Sequence, residues 1–284
     1  MLVKRLKKLH LLVGWVFLGV VSDSWATSKD LTNVTTMSVK EKKWSGLLYG
    51  DTSTSVNTPN DESRNIGSNA LIFLNYKLPN GFLARFSTGV NKDYMGDRKL
   101  YMNNSYVALS RHLYTYGSIA RISGDSRVYL PTNKPSYKGR SYRGGFFLAP
   151  KADINLAIIG LKYWIATYSP TFSHSFYQYN TAYAGAYNTG NSIGNSIRLG
   201  YAGIRRFYFS LGFSNTHSWS TSGKRKQDTF RMDQEVSYSI TPESSIALGH
   251  LIGGTTFKDD GVTSNVVNYD PNRSYVYTSL AYKF

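Results

Sequence analysis

The sequence predicts an all-β fold, a transmembrane antiparallel up-and-down β-barrel of about twelve strands with both termini at the same end. Three observations carry this. Apolar and polar residues alternate with a period of two in segment after segment, the mark of a strand with one greasy face. The clearest case sets Phe207, Phe209, Leu211 and Phe213 against Arg206, Tyr208, Ser210 and Gly212. Connections between these segments alternate long and short, which a soluble sandwich has no reason to do and a sheet threaded through a bilayer does. Finally, no apolar run reaches the roughly 20 residues of a helical span. The mean hydropathy is slightly negative, as expected when only every second strand residue meets lipid.

Residues 1–26 read as a secretory signal peptide. Lys4, Arg5, Lys7 and Lys8 precede an apolar run from Leu11 to Val21, and Ser24-Trp25-Ala26 places small residues before a cut after Ala26. Residues 27–42 are polar and aperiodic, a tail or a plug folded into the barrel, and 43–284 form the barrel itself. The chain has no cysteine, so neither a disulfide framework nor a thiolate metal site is available.

The expected strands run in order. The first covers 43–56 and is followed by a polar connection with Pro59, Asn60 and Asp61. The second, 67–78, puts Ala70, Ile72, Leu74, Tyr76 and Leu78 on one face and ends at the hairpin turn Pro79-Asn80-Gly81. Over 82–91, Phe82, Ala84, Phe86, Thr88 and Val90 oppose Leu83, Arg85, Ser87 and Gly89. A strand at 100–110 turns at Arg111-His112-Leu113 into 114–123, where Tyr114, Tyr116, Ala120 and Ile122 oppose Arg121. A basic loop, 124–141, leads to 142–149, then to a turn at Pro150-Lys151-Ala152-Asp153. The next strand, 154–168, is apolar on both parities, with Lys162 as its inward mark. The longest loop, 169–192, precedes 193–201, with Ile197, Leu199 and Tyr201 against Arg198. After the strand opening at Phe207 comes a loop, 215–228, and then 229–240, with Phe230, Met232, Val236 and Tyr238 against Arg231, Asp233, Glu235 and Ser237. The turn Thr241-Pro-Glu-Ser244, a strand at 245–257, a long loop at 258–273 and the terminal strand complete the chain. No proline falls inside these strands, as a closed ladder demands. Phe82, Tyr114, Tyr201, Phe207 and Phe284 gather at the short-turn side, where an interfacial girdle is expected.

The terminal strand, 274–284, sets Val276, Thr278, Leu280 and Tyr282 against Tyr275, Tyr277, Ser279, Ala281 and Lys283, and stops on Phe284. This ending resembles the closing strand of bacterial outer-membrane β-barrels. The resemblance implies an outer-membrane location in a Gram-negative cell, both termini in the periplasm, and Phe284, Tyr282 and Leu280 as the signal read by the assembly machinery. Outer-membrane lipid and lipopolysaccharide are then its surroundings.

Charge decides the interior. The formal net charge is +16, and the signal peptide, four basic residues less Asp23, accounts for three of it. Such an excess suggests a polyanionic partner. No nucleic acid is expected, because neither a basic helix nor zinc-finger spacing appears. Under the register above, Arg85, Arg121, Arg143, Lys162, Arg198, Arg206, Arg231, Asp233 and Glu235 oppose the apolar face. A Lys or Arg in lipid at mid-membrane costs about 2–4 kcal/mol, so these residues are expected to line the interior. Seven are basic and two acidic, an excess of five positive charges. Two interiors fit: a narrow pore that draws small anionic solutes, or a packed interior in which the arginines pair with the acids and tyrosine hydroxyls.

Strand count, basic lumen and the hairpin Leu78-Pro-Asn-Gly-Phe82 resemble the narrow channels for acidic oligosaccharides, which implies a porin-like anion channel. The aromatic ending also resembles a solitary autotransporter barrel, which implies a structural or adhesive barrel with a plugged interior. A third alternative, an outer-membrane lipid hydrolase, needs His and Ser two apart on one strand. Here His112, His174, His217 and His250 are followed by Tyr114, Phe176, Trp219 and Ile252 at that spacing, so no catalytic residue is expected. No cofactor is called for either. Asp259-Asp260 lacks the further spaced oxygens of a calcium loop, and the glycines at 185, 190 and 194 lack a phosphate-loop ending. The basic loop residues Lys134, Lys138, Arg140, Lys224, Arg225 and Lys226 suit lipopolysaccharide phosphates.

Overall fold

The computed structural model describes residues 42–56, 65–95 and 98–284. The signal peptide and the tail to residue 41 lie outside the described residues. Thirteen strands form one antiparallel sheet: β1 (Trp44–Ser55), β2 (Ile66–Lys77), β3 (Phe82–Asp93), β4 (Leu100–Met102), β5 (Tyr106–Tyr116), β6 (Ala120–Tyr129), β7 (Tyr142–Asn155), β8 (Trp164–Tyr177), β9 (Thr189–Tyr201), β10 (Phe207–Ser220), β11 (Thr229–Ser239), β12 (Ser244–Thr255) and β13 (Ser274–Lys283). Each strand pairs with its sequence neighbour, and β1 pairs with β13, so the sheet closes on itself. The three-residue β4 lies beside β5 along the same edge of β3, leaving twelve staves.

Closure removes every sheet edge, which is what lets a β-sheet stand in lipid. The seam shows how it is fixed. Phe284 and Gly46 exchange backbone hydrogen bonds at 2.9 and 3.1 Å. A Cβ on Gly46 would lie 2.1 Å from the Phe284 ring, so the last aromatic lies over a position that only glycine leaves open.

We call the end bearing Trp44 and Phe284 the terminal rim and the other the far rim. Terminal-rim turns span 78–81, 117–119, 156–163, 202–206 and 240–243, three to eight residues, whereas far-rim connections run from eight residues to the eighteen of 256–273. The expected alternation holds, yet two turns are misplaced. Arg111-His112-Leu113 lies within β5, which bulges between His112 and Tyr114. The extra residue breaks the period of two there and imitates a turn; the chain reverses at Gly117-Ser118-Ile119 instead. Likewise Pro150-Lys151-Ala152-Asp153 belongs to β7, and the reversal is the short helical turn Leu156–Ile159 with its flanks. That turn exposes Ile158, Ile159 and Leu161, which explains why 154–168 reads as apolar on both parities. Strands β6, β8 and β10 also climb into 124–129, 169–177 and 215–220, expected to be loop.

Proline does enter the strands. Pro150 and Pro170 face one another between the rungs Leu148↔Phe172 and Ala152↔Tyr168, and the ladder is interrupted between those rungs. Neither residue has an N–H to donate, so one rung is lost. The Ser169 hydroxyl, 3.2 Å from the Pro150 carbonyl, satisfies part of it.

The two faces are plain in β13, where Val276, Leu280 and Tyr282 are 39, 54 and 48% exposed while Tyr277 and Ser279 are 8 and 5% exposed. Following the rungs from strand to strand carries that assignment around the barrel. The outer face is the apolar one, and at the terminal rim it ends in a belt of rings: Trp44 against Tyr76, Trp164 against Tyr201 and Phe207 against Tyr238, at 4.6, 5.1 and 5.0 Å. Such rings sit where headgroups meet hydrocarbon.

Candidate functional site in the lumen

The inner face has three sectors. On β8, β9 and β10 the far half is paved with small hydroxyls and glycine: Ser169, Thr171 and Ser173 face Ser196, Gly194 and Ser192, which in turn face Ser214, Thr216 and Ser218. This wall is smooth and polar and carries no charge above Arg198. On β5 to β8 the far half is aromatic instead. Tyr106 and Tyr129 lie 5.3 Å apart, Tyr129 and Phe147 6.5 Å apart, and Tyr142 and Tyr177 5.6 Å apart. The Arg127 guanidinium sits 5.1 Å from both the Tyr106 and the Phe147 ring, and its Nε lies 3.0 Å from Asp125. Both side chains of that pair are 2% exposed, so ring faces and carboxylate together replace the water that the cation has lost.

The third sector is a belt of charge. Arg198 Nη2 lies 2.7 Å from Asp233 Oδ2, and its Nη1 donates to Ser210 Oγ at 2.9 Å. Beside it the Tyr277 hydroxyl donates to Glu235 at 2.9 Å, and the Tyr277 ring lies over Gly249. Lys151 pairs with Asp153 at 3.0 Å, and Asp153 accepts from Thr167 at 2.7 Å. On β1 to β3 an amide chain runs from Asp51 through Asn69 and Asn103 to Asn91, at 3.2, 2.9 and 2.5 Å. Arg85 donates to Asn75 at 2.8 Å.

Of the basic positions expected inside, Arg85, Arg121, Arg198 and Arg231 share the inner parity, as do Asp233 and Glu235. The other three do not stand on the inner wall. Lys162 and Arg206 fall in terminal-rim turns, Lys162 near the Tyr163 ring and Arg206 beside the Tyr238 hydroxyl. Arg143 is the extra residue of a bulge between Tyr142 and Gly144. It is exposed against the Tyr137 ring and bonds Gln178.

The charge balance changes with these placements. Asp51, Asp93, Asp125 and Asp153 share the inner parity with Asp233 and Glu235, while Lys77, Arg127, Lys151 and Lys283 join the four arginines. The described strands thus carry eight cationic and six anionic side chains inward, an excess of two rather than five. Three of the four missed acids had a common cause: Asp93, Asp125 and Asp153 were expected in connections and are strand residues, whereas Asp51 lies in an expected strand to which no facing was assigned.

The histidines are scattered. His174 lies on the outer face among Phe146, Phe172 and Phe176, and His217 pairs with Asp228 at the far rim. Among the described residues no cluster suited to a metal ion occurs.

No family model matches the chain, and no curated protein matches its sequence. The architecture does have solved counterparts. An outer membrane channel from Pseudomonas putida F1 aligns over 85% of this chain and 95% of its own, with a TM-score of 0.59 at 10% identity. The fold is that of an outer-membrane channel barrel. The NanC porin aligns over 84% of this barrel and 98% of its own chain, with a TM-score of 0.53 at 11% identity. At such identities the agreement is one of fold: a closed barrel with an apolar outer belt.

Proposed function

We propose that the barrel is a porin-like channel through which small solutes diffuse, with a preference for anions set at its far mouth rather than at its waist. In this reading residues 1–26 export the chain, Leu280, Tyr282 and Phe284 are read during assembly, the terminal rim faces the periplasm, and the far rim faces outward. The waist does not support strong selection, because two of its cations are paired with acids, Arg198 with Asp233 and Lys151 with Asp153, and a third, Arg85, is engaged by the Asn75 amide oxygen.

The single observation that carries the preference is the far rim. Its described connections hold ten basic residues, among them Lys134, Lys138, Arg140, Lys224 and Lys226, against four aspartates. Counting Asp61, Glu62, Arg64 and Asp97 from the sequence still leaves an excess of four positive charges. Cations around the mouth of a low-dielectric tube raise the local concentration of anions and their entry rate. The same residues suit the phosphates of neighbouring lipopolysaccharide.

The test is the reversal potential of purified barrels in a planar bilayer under a potassium chloride gradient. Chloride should pass more readily than potassium, and the combined substitutions Lys134→Gln, Lys138→Gln and Lys224→Gln should move the reversal potential toward zero and lower the chloride conductance. A cation-selective current, or folded barrels that pass no current, would refute the proposal.

A further inference from the structure

We propose that two copies of this barrel pair through the outer wall around Gln234, with the connection 256–273 as part of the contact. On β11 the outward residues counted from the terminal rim are Tyr238, Val236 and then Gln234, which lies on the rung between Leu211 and His250. Four residues in from the ring belt, at roughly 3.3 Å each and a tilt near 40°, the amide stands about 10 Å into an apolar band about 25 Å tall. It is exposed, and among the described residues no hydrogen bond engages it. Its neighbours Leu211, Val236, Leu248 and Val276 are exposed and apolar.

Hydrocarbon offers this amide no partner, and a polar group left so is costly. His250 does not relieve it. The His250 Nε2 is enclosed without a hydrogen-bond partner, and its ring lies 6.3 Å from that of Tyr269 at an interplanar angle of 29°. Ile252, the next outward residue of β12, is fully buried. The connection 256–273 therefore folds down the outside of the barrel over β12 and stops short of Gln234.

Three features favour a second copy as the occupant of this wall. A side-chain amide carries both donors and an acceptor, and is therefore complementary to itself. A closed pair of barrels inserted with the same end outward has its two-fold axis along the membrane normal, which sets Gln234 at the same depth as its own copy, where the two amides exchange N–H···O bonds. Lipid chains supply no such bond. Next, the connection exposes Phe257, Val262, Val267 and Tyr269. Two convex cylinders otherwise touch along a narrow strip, and this apolar ridge on the outside of one wall widens it. Finally, the connection holds Lys258 and Arg273 against Asp259, Asp260 and Asp270, a net charge of −1, whereas 130–141 holds Lys134, Lys138 and Arg140 and no acid. Two copies meet here with less repulsion than at 130–141, and an anionic lipid headgroup gains little.

The chain has no cysteine, so single cysteines report the pairing directly. In vesicles of neutral phospholipid, oxidised Gln234→Cys should form disulfide dimers many-fold above Leu109→Cys, which is exposed on β5 across the barrel. Energy transfer between labelled barrels diluted with lipid should show pairing weakened about 5- to 30-fold in Gln234→Leu, and weakened also in Val262→Asp, which leaves the strand wall untouched. The unfolding stability of the single Gln234→Leu barrel should hold or rise, because leucine suits lipid better than an amide. Equal cross-linking at positions 234 and 109, or Gln234→Leu barrels that pair as the original does, would overturn the proposal. A Gln234→Leu barrel that unfolds more easily would mean that the amide serves its own chain, and pairing that vanishes when lipopolysaccharide replaces the neutral lipid would assign the wall to that lipid; each outcome also overturns it.

Discussion

Ser196 and Ile197 are consecutive on β9, yet the fold sends them into different solvents. Ile197 is 52% exposed on the outer face between Tyr168 and Phe213, whereas Ser196 faces Ser169 and Ser214 across the lumen wall. Ile197 stands four residues in from Tyr201, the terminal-rim end of its strand. At roughly 3.3 Å per residue and a tilt near 40°, that is about 10 Å into an apolar band about 25 Å tall, close to its middle. Arginine at position 197 should therefore cost about 2–4 kcal/mol, a factor of about 30 to 900 in the folding equilibrium. Arginine at 196 projects into a wet lumen and should cost less than about 1 kcal/mol. Equilibrium unfolding of Ile197→Arg and Ser196→Arg by guanidinium in lipid vesicles, followed by tryptophan fluorescence, measures both. If Ser196→Arg were the more damaging of the two, the inside and outside of the barrel would have been assigned the wrong way round.

Other consequences are open to measurement. Arg198→Ala leaves Asp233 without its 2.7 Å partner and should destabilise the barrel by about 1–3 kcal/mol, the cost of a part-buried charge that has lost its ion pair; adding Asp233→Asn should restore most of the loss in the same unfolding assay. Gly46→Leu forces the Phe284 ring off the closing seam and should lower the yield of the folded, heat-modifiable form on gels more than Gly50→Leu, because only open backbone lies near Gly50. In the connection 256–273, Asp260 is held down to about 2 by the Thr263 hydroxyl and the backbone N–H groups of Val262 and Thr263. Asp270 is lowered by the Asn272 N–H and by Arg273. Both folded values lie below those of the unfolded chain, so their contribution is fully present above about pH 4 and is lost as pH falls toward 2. The protection factors of this connection, taken against the intrinsic exchange rate at each pH, should be constant from pH 7 to pH 5 and fall below pH 4. A fall already at pH 6 would contradict the assignment.

Much of this architecture was legible in the sequence because strand alternation is a local property: successive side chains leave the backbone on opposite sides whatever the rest of the chain does. Phe207 to Phe213 against Tyr208 to Gly212 needed no tertiary information, nor did Leu280, Tyr282 and Phe284, and a lipid exterior makes that alternation chemically strict. Turns were legible where glycine or proline marked them, as at Pro79-Asn80-Gly81. They were misread where a bulge at His112 or a strand proline at 150 carried the same local mark.

The sequence by itself determined that the chain closes about twelve alternating strands around a polar interior, since no other packing keeps those apolar faces in lipid and the arginines out of it. Which charges meet inside was decided only by the tertiary structure. Register, bulges and closure arise from pairings far apart in the chain, such as Leu47 with Lys283, and a shift of one residue sends a side chain to the other face. Those pairings set Arg198 against Asp233 and Arg127 between two rings. They also moved Asp125 and Asp153 from connections into the lumen, and so turned a basic tube into a nearly balanced one.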